Sequence, residues 1–219
     1  MRGDKKRLFQ GEDAVRYLCD VDPVLAEVIR EISLEELTPS EDHFESPRNK
    51  LVYFYALVRE IIGQQLSGKA ADAIEKRFLA LFSPGAFPNP EEILALSDEI
   101  IRNAGLSFSK ISYIKNIARA VVEEKINFEE FDKLSDEEII TALITIKGVG
   151  RWTVEMFLMW TLLRPDVFSY GDLGLRKGMQ KIYKLKKEPS AKRAAQISNR
   201  WKPHRSLACR YLWASLDNR

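Results

Sequence analysis

Apolar residues recur at helical spacing along nearly the whole chain, and this pattern constrains the fold more than any other feature. A half-buried strand would instead alternate apolar and polar residues, and short turn pairs would join successive strands into hairpins. The sequence contains no series of such alternating segments. We therefore predict an all-α fold of roughly eight to ten helices of ordinary length.

Local capping chemistry marks several of the predicted helix starts. In a capping box, a hydroxyl and a carboxylate three residues apart satisfy backbone N–H groups reciprocally, and proline is tolerated at the first helical position. The signals are the pairs Ser33 with Glu36, Ser135 with Glu138, and Asn89 with Pro90.

The net charge of +2 conceals a strong asymmetry along the chain. Residues 173–219 contain 13 Lys or Arg against Glu188 and Asp217, a net charge of +11. The first 172 residues carry 21 Lys or Arg against 30 Asp or Glu, a net charge of −9. A basic tail is typical of proteins that bind a polyanion such as nucleic acid, although a solvated surface without a ligand is the alternative.

Metal cofactors and membrane association are not predicted. The two cysteines and two histidines lie too far apart for zinc or iron-sulfur spacing, and they suggest no disulfide framework. The longest apolar-rich run, Met156–Leu163, is too short to span a bilayer, and Met1–Asp13 lacks the apolar core of a signal peptide. We expect a soluble intracellular protein.

Two glycines one residue apart, Gly148 and Gly150, separate a helical pattern that begins at Ser135 from another that continues to Leu162. Such glycines permit positive φ and expose backbone N–H groups, and the following helix presents its positive N-terminal end, so a phosphate fits there. An ordinary connection between antiparallel helices is the alternative, and Gly-x-Gly alone leaves it favoured.

The segment Ile146–Thr153 resembles the hairpin of the helix-hairpin-helix DNA glycosylases, specifically their alkyl-base, 3-methyladenine DNA glycosylase II branch. The resemblance spans about residues 50 to 215, with five motifs in the family's order. The other four are Ile62–Ala71; Ala104–Ser107 with Lys110 and Tyr113; Val167-Phe168 with Gly171–Arg176; and Trp201–Pro203 with Arg205-Ser206 and Tyr211–Trp213.

This resemblance implies a two-lobed helical fold with an active-site cleft between the lobes. One lobe would span residues 53–164 and carry the helix-hairpin-helix at about 135–163. The other would combine residues 1–52 and 165–219, with the catalytic loop and the basic tail. The implied function is removal of alkylated purines of the 3-methyladenine and 7-methylguanine type from double-stranded DNA by base flipping, the first step of base excision repair. A monomer in a nucleoid-containing cytoplasm or a nucleus is expected.

Asp172 is the catalytic carboxylate that the resemblance implies. Cleaving an N-glycosidic bond builds positive charge on the sugar, which a fixed anion stabilises, and the same carboxylate orients or deprotonates the attacking water. From the residues alone, a helix N-cap is the better interpretation of Asp172, and the two roles are compatible. Arg176 and Lys177 lie one turn on and would help to keep it ionised if they face it.

Some relatives carry a lysine two residues after the second hairpin glycine and use it to cut the strand. Trp152 occupies that position here, so we predict hydrolysis without lyase activity. The resemblance also places Trp152, Trp213 and Met156 in the base pocket, where an indole would attract a cationic purine. Core packing is the alternative for both tryptophans. Met156 replaces a tyrosine of some relatives, which removes a phenol contact.

The turn Gly63–Ser67 matches the family's DNA wedge, with Gln65 and Leu66 at its tip. Capping of neighbouring helix ends by Gln64 and Gln65 is an equal alternative. The resemblance implies that the hairpin and its flanks contact the DNA backbone and that main-chain carbonyls there bind a structural Na⁺ or K⁺. The backbone residues are Lys147, Gly148, Val149, Gly150, Arg151 and Thr153, and the carbonyls are those of Ile144, Ile146 and Val149.

Two functions of other classes remain compatible with the sequence. A non-catalytic damage-binding or architectural protein would reuse the hairpin and the wedge on DNA. A helical protein-interaction module with a basic tail would show no salt-dependent DNA affinity.

Overall fold

The computed structural model describes residues 11–37, 50–84 and 87–217. Every regular element in these ranges is helical, which confirms the predicted all-α fold, and none of these helices is long and apolar enough to cross a membrane. The twelve α-helices in the described ranges are α1 (Glu12–Val21), α2 (Pro23–Glu31), α3 (Lys50–Gly63), α4 (Gly68–Leu79), α5 (Pro90–Ala95), α6 (Asp98–Asn103), α7 (Phe108–Val122), α8 (Asp136–Leu143), α9 (Arg151–Trp160), α10 (Leu173–Ile182), α11 (Ala191–Ser198) and α12 (Arg205–Asp217). Short 3-10 turns cover Glu35–Leu37, Phe128–Glu130 and Asn199–Trp201.

Helix number exceeds the predicted eight to ten because short helices follow one another closely. Helices α5 and α6 are separated only by Leu96, which is extended, and by Ser97, whose hydroxyl accepts the Ile100 N–H. The capping boxes that begin α5 and α8, at Asn89 and Ser135, are both present. At the predicted Ser33–Glu36 capping box, a 3-10 turn covers residues 35–37, and the Glu36 side chain lies outside the described part of the structure.

The chain divides into two compact units. The hairpin unit is Phe44–Phe157, and the catalytic-loop unit combines Met1–His43 with Leu158–Arg219. The sequence-based boundaries were 52/53 and 164/165, whereas here the second boundary falls inside α9.

Helix α3 is the centre of the hairpin unit and packs against α4 and α7. Its Phe54, Leu57 and Ile61 are almost fully buried. Tyr53 of the same helix joins an aromatic cluster with Phe128, Phe131 and Phe157. Buried aromatic rings contribute large apolar areas, so this cluster ties α3 to the 3-10 turn before α8.

In the catalytic-loop unit, α10 packs directly against α12. The two helices approach closely because Gly178 faces the backbone of α12. A Cβ added to Gly178 would lie 2.8 Å from the carbonyl oxygen of Leu212. A side chain at this position would therefore force the two helices apart.

The N-terminal helices are joined to the C-terminal part of the same unit through Asp22, which is fully buried. Its Oδ1 caps α2 by accepting the backbone N–H groups of Val24 and Leu25. Its Oδ2 accepts the Tyr183 hydroxyl and, over 2.9 Å, the Trp201 indole N–H. A buried carboxylate is tolerated because these donors replace its hydration.

We predict that Asp22→Ala lowers the free energy of unfolding of the catalytic-loop unit by about 3 to 5 kcal/mol, because it leaves buried donors unsatisfied and removes a helix cap. Thermal or urea unfolding measures the change. Asp20→Ala is the matched control, since Asp20 is exposed on the preceding helix. Equal melting temperatures for the two variants would contradict the role assigned to Asp22.

Candidate functional site

The predicted hairpin lies between the end of α8 at Leu143 and the start of α9 at Arg151. Gly148 adopts a φ of +103°, a conformation that L side chains rarely adopt. The Val149 N–H donates to the Ile146 carbonyl over 3.0 Å, which closes the turn. The prediction of two helices joined by a tight turn is confirmed.

Helix α7 packs against the hairpin through Tyr113 and Asn116. A Cβ on Gly148 would lie only 2.1 Å from Cγ of the Tyr113 ring, so the turn rests directly on that ring. Asn116, one turn further on, donates its side-chain N–H to the Lys147 carbonyl over 3.0 Å. Tyr113 belongs to the motif Ala104–Ser107 with Lys110 and Tyr113, and the sequence alone indicated no role for this tyrosine.

Gly150 differs from Gly148. Its φ lies outside the left-handed region, and a Cβ built on it would meet no atom within 4 Å. Of the two glycines that permit a positive φ in this hairpin, Gly148 adopts one and Gly150 does not. The open space above it is suited to close approach by an external group.

The residues predicted to grip phosphates have different surroundings. Lys147 is exposed, and Val149 is buried. The Arg151 guanidinium is held by Glu137 over 2.5 Å and by Glu155 over 3.0 Å. A phosphate contact by Arg151 would therefore require it to leave these carboxylates.

The turn after α3 is the predicted wedge, and its base is held in place. Gln64 donates its side-chain amide to the hydroxyl of the buried Thr153 over 3.0 Å. The Lys110 ammonium donates to the carbonyls of Ile62 and Gln64, over 2.7 Å each, and burial lowers the pKa of Lys110. Gln64 therefore anchors the turn to a side chain of α9, and this bond differs from the helix-end capping that was the alternative for the two glutamines.

Gln65 and Leu66 form the exposed tip of this turn. Gln65 adopts a φ of +58°, and Leu66 is 39% exposed. A non-glycine residue in this region is strained by about 1 kcal/mol. Backbone strain of this kind at an exposed residue favours a binding role.

We predict that Gln65→Gly leaves the melting temperature unchanged or raises it, because the strain is relieved, yet weakens binding to a lesion-containing duplex about fivefold through the lost amide contact. Fluorescence anisotropy with a labelled duplex gives the affinity. Gln64→Ala is the control and should lower stability by removing the bond to Thr153. Unchanged affinity in Gln65→Gly would exclude Gln65 from the DNA contact.

Asp172 precedes the first residue of α10, and one of its carboxylate oxygens accepts two hydrogen bonds. Its Oδ1 accepts the backbone N–H of Leu175 over 2.7 Å and the indole N–H of Trp213 over 2.9 Å. The first bond is an N-cap, so that reading of Asp172 is confirmed. Together the two bonds fix the carboxylate in one orientation.

Gly174 makes this arrangement possible. A Cβ on Gly174 would lie 2.9 Å from Nε1 and Cδ1 of Trp213 and 3.0 Å from Oδ1 of Asp172. Glycine at this position therefore leaves the space in which the indole reaches the carboxylate. The sequence reading included Gly174 in a motif but assigned it no function.

Arg176 organises the loop before Asp172. Its guanidinium pairs with Glu188 over 2.9 Å and donates to the carbonyls of Tyr170 and Gly171. Arg176 thus fixes the loop that carries Asp172. Several other basic residues of the tail are exposed: Lys177, Lys184, Lys186, Lys187, Lys192, Arg193 and Lys202.

The predicted base-pocket residues fall in both units. Trp152 is half-buried near the start of α9, and Met156 lies one turn on, 5% exposed. In the other unit, Trp213 is half-buried and stacks on Trp160, with 5.7 Å between ring centroids. Because the Trp213 indole N–H also donates to Asp172, the structure places this tryptophan at the candidate catalytic carboxylate. The sequence reading missed Trp160, whose position at the end of an apolar helix gave no signal.

A family model described as "HhH-GPD superfamily base excision DNA repair protein" matches residues 58–204, more than half of the chain. The chain belongs to this superfamily. The matched range contains the turn Gly63–Ser67, the hairpin and Asp172, whereas Arg205-Ser206 and Tyr211–Trp213 of the last motif lie beyond it.

Individual HhH-GPD members support the same branch. The chain is 43% identical to DNA-3-methyladenine glycosylase 1 of Schizosaccharomyces pombe over 158 residues, 72% of this chain and 69% of that protein. The solved structure of a 3-methyladenine DNA glycosylase of S. pombe in complex with abasic DNA is similar, with a TM-score of 0.84 and 35% identity, covering 94% of this chain and 97% of that one. A Bacillus halodurans DNA-3-methyladenine glycosidase matches with a TM-score of 0.75 and 33% identity over 95% and 91%. The resemblance to the alkyl-base branch is confirmed.

Proposed function

We propose that this HhH-GPD protein is a monofunctional DNA glycosylase that hydrolyses the N-glycosidic bond of alkylated purines in double-stranded DNA, the first step of base excision repair. The observation that carries the proposal is the Asp172 carboxylate, held by Leu175 and Trp213 at the start of α10. This carboxylate lies in a chain whose similar structures include a glycosylase bound to abasic DNA.

Asp172 supplies the chemistry that this reaction needs. As the bond to the base breaks, the sugar becomes oxocarbenium-like, and a fixed anion lowers the energy of that state without reorganising. The carboxylate also accepts a proton from the attacking water. Because the two donors hold it beforehand, no rotamer entropy is lost in the transition state.

Alkylation at N3 or N7 makes the purine cationic, and a cationic purine leaves as a neutral base. The demand for a general acid is therefore small, which fits a site built around one carboxylate. An electron-rich indole attracts such a base, by about 0.5 to 2 kcal/mol, and we assign this role to Trp152 and Trp213, and a share in lining the base pocket to Met156. Trp152 lacks the amine that a lyase would need, so the abasic strand stays intact.

The hairpin unit supplies the grip on DNA. We assign the phosphate contact to the backbone around Gly148 and Gly150, where a helix N-terminus follows the turn, and the wedge to Gln65 and Leu66. A monovalent cation at the carbonyls of Ile144, Ile146 and Val149 fits the donor set. The Ile146 carbonyl accepts one hydrogen bond, from Val149, and a carbonyl oxygen has two lone pairs.

The test is base release from defined duplexes that each contain one lesion, 3-methyladenine or 7-methylguanine, with an unmodified duplex as control. Release of the methylated base at a rate well above its spontaneous loss supports the proposal. Tight, salt-dependent binding in a gel shift without release would instead identify a non-catalytic damage-binding protein.

A further inference from the structure

Behind Asp172, three side chains of the catalytic-loop unit form a continuous contact chain that ends on the carboxylate. The Arg210 guanidinium carbon lies 4.5 Å from the centroid of the Trp160 ring. Trp160 stacks on Trp213 with 25° between the ring planes. Trp213 donates its indole N–H to Asp172 over 2.9 Å. A buried cation is thereby linked to the proposed catalytic carboxylate through two stacked rings and one hydrogen bond.

Arg210 is a costly residue to place here on grounds of packing alone. It is only 5% exposed, and burial lowers its pKa to about 10. An apolar side chain of similar volume often packs in such a position without loss of stability. A cation over an aromatic face gains more when it is desolvated, so the contact with Trp160 accounts for a charge at this position.

The stack restricts the orientation of Trp213. Trp160 covers one face of its indole, and Gly174 lies against its edge, where an added Cβ would be 2.9 Å from Nε1. Arg210 is on α12, one turn before Trp213, so the same helix presents both groups to Trp160. With the ring held from two sides, the N–H group stays directed at Asp172.

We propose that Trp160 and Arg210 are positioning residues that act through Trp213 to fix the plane of the Asp172 carboxylate. This proposal rests on the proposed glycosylase function and assigns Trp213 a task besides lining the base pocket. Neither Trp160 nor Arg210 needs to touch the base.

The maximal rate of base release and the protein concentration at half-saturation should respond differently when this contact chain is disrupted. Because the chain acts on the carboxylate and the carboxylate acts on the sugar, disrupting it should lower the maximal rate of base release and leave half-saturation by DNA unchanged. For Trp160→Leu and Arg210→Met, whose parent residues need not touch the base, the loss should be the same factor for cationic 7-methylguanine and for an uncharged base such as ethenoadenine. Loss of a stacking surface would instead depend on the charge of the base.

The experiment measures single-turnover base release from both duplexes over a range of protein concentrations, with the full chain. The variants are Trp160→Leu, Arg210→Met, Trp213→Phe and the double variant Trp160→Leu/Trp213→Phe. Trp213→Phe and Trp160→Leu should each lower the maximal rate about tenfold, the effect of a lost hydrogen bond to a charged group, and Arg210→Met about threefold. The double variant should be no slower than Trp213→Phe, because Trp160 acts through the lost N–H.

Trp201→Phe is the matched control. Trp201 donates its indole N–H to Asp22 over 2.9 Å in the same unit, so this variant removes an equivalent Trp–Asp bond away from Asp172. It should lower the melting temperature and keep the parent rate well below that temperature. Parallel rate losses in Trp201→Phe and Trp213→Phe, additive losses in the double variant, or a parent rate in both Trp160→Leu and Arg210→Met would overturn the positioning role. A parent protein that releases no base would instead overturn the proposed function.

Discussion

Replacing Asp172 with asparagine is expected to lower the single-turnover rate of alkylated-base release by about a thousandfold, the range that general-base and electrostatic contributions span. Asparagine keeps a carbonyl oxygen that accepts the Leu175 and Trp213 N–H groups, so the start of α10 and the melting temperature should change little. Affinity for the lesion duplex should be retained, because the charge acts on the transition state. Quenched-flow or manual sampling with excess protein measures the rate.

Asp166→Asn provides the control for loss of a carboxylate in the same unit. Asp166 pairs with Arg205 over 2.6 Å and lies outside the proposed chemistry, so this variant should lose some stability and keep its rate. If Asp172→Asn retained full excision, the carboxylate would be a helix cap only. Equal rate losses in the two variants would point to a structural effect of removing charge.

Replacing Gly148 with alanine is expected to weaken DNA binding at least a hundredfold and to destabilise the hairpin unit. The added Cβ would lie 2.1 Å from Cγ of Tyr113, and alanine disfavours the φ of +103°. The turn would have to move off α7, which displaces its backbone N–H groups from the geometry of a phosphate site. Circular dichroism melting and anisotropy with an undamaged duplex measure the two effects.

Gly150→Ala separates fold from contact in the same hairpin. A Cβ there meets no protein atom within 4 Å, so the melting temperature should stay within about 2 °C of the parent, as for a surface substitution. If DNA approaches this point, the methyl group should still weaken binding. Parent affinity in both glycine variants would exclude the hairpin from DNA binding.

Local chemistry made much of the fold predictable. The helix start at Ser135 follows from a residue pair three positions apart, which acts through its own backbone. The hairpin turn likewise follows from Gly148, because a positive φ is a local requirement. Asp172 as a cap was also readable from its place before a helical pattern.

Long-range contacts in the site were not predictable, because they depend on helices that meet only after folding. Gly174 is two residues after Asp172 in the chain, but its role depends on Trp213, nearly forty residues later. Arg151 looked like a phosphate ligand from its place in the hairpin, and only folding brings Glu137 to its guanidinium. Periodicity describes which face of a helix is apolar and cannot name the partner across from it.

The central claim is hydrolysis of the glycosidic bond without cutting of the strand. The most direct measurement follows one end-labelled duplex containing 7-methylguanine, with each sample divided before electrophoresis into an untreated half and a half heated in alkali. We expect free 7-methylguanine in solution, an intact strand in the untreated half and cleavage at the lesion in the heated half. Cleavage in the untreated half would show lyase activity despite Trp152, and an intact strand in both halves with no released base would contradict the glycosylase assignment.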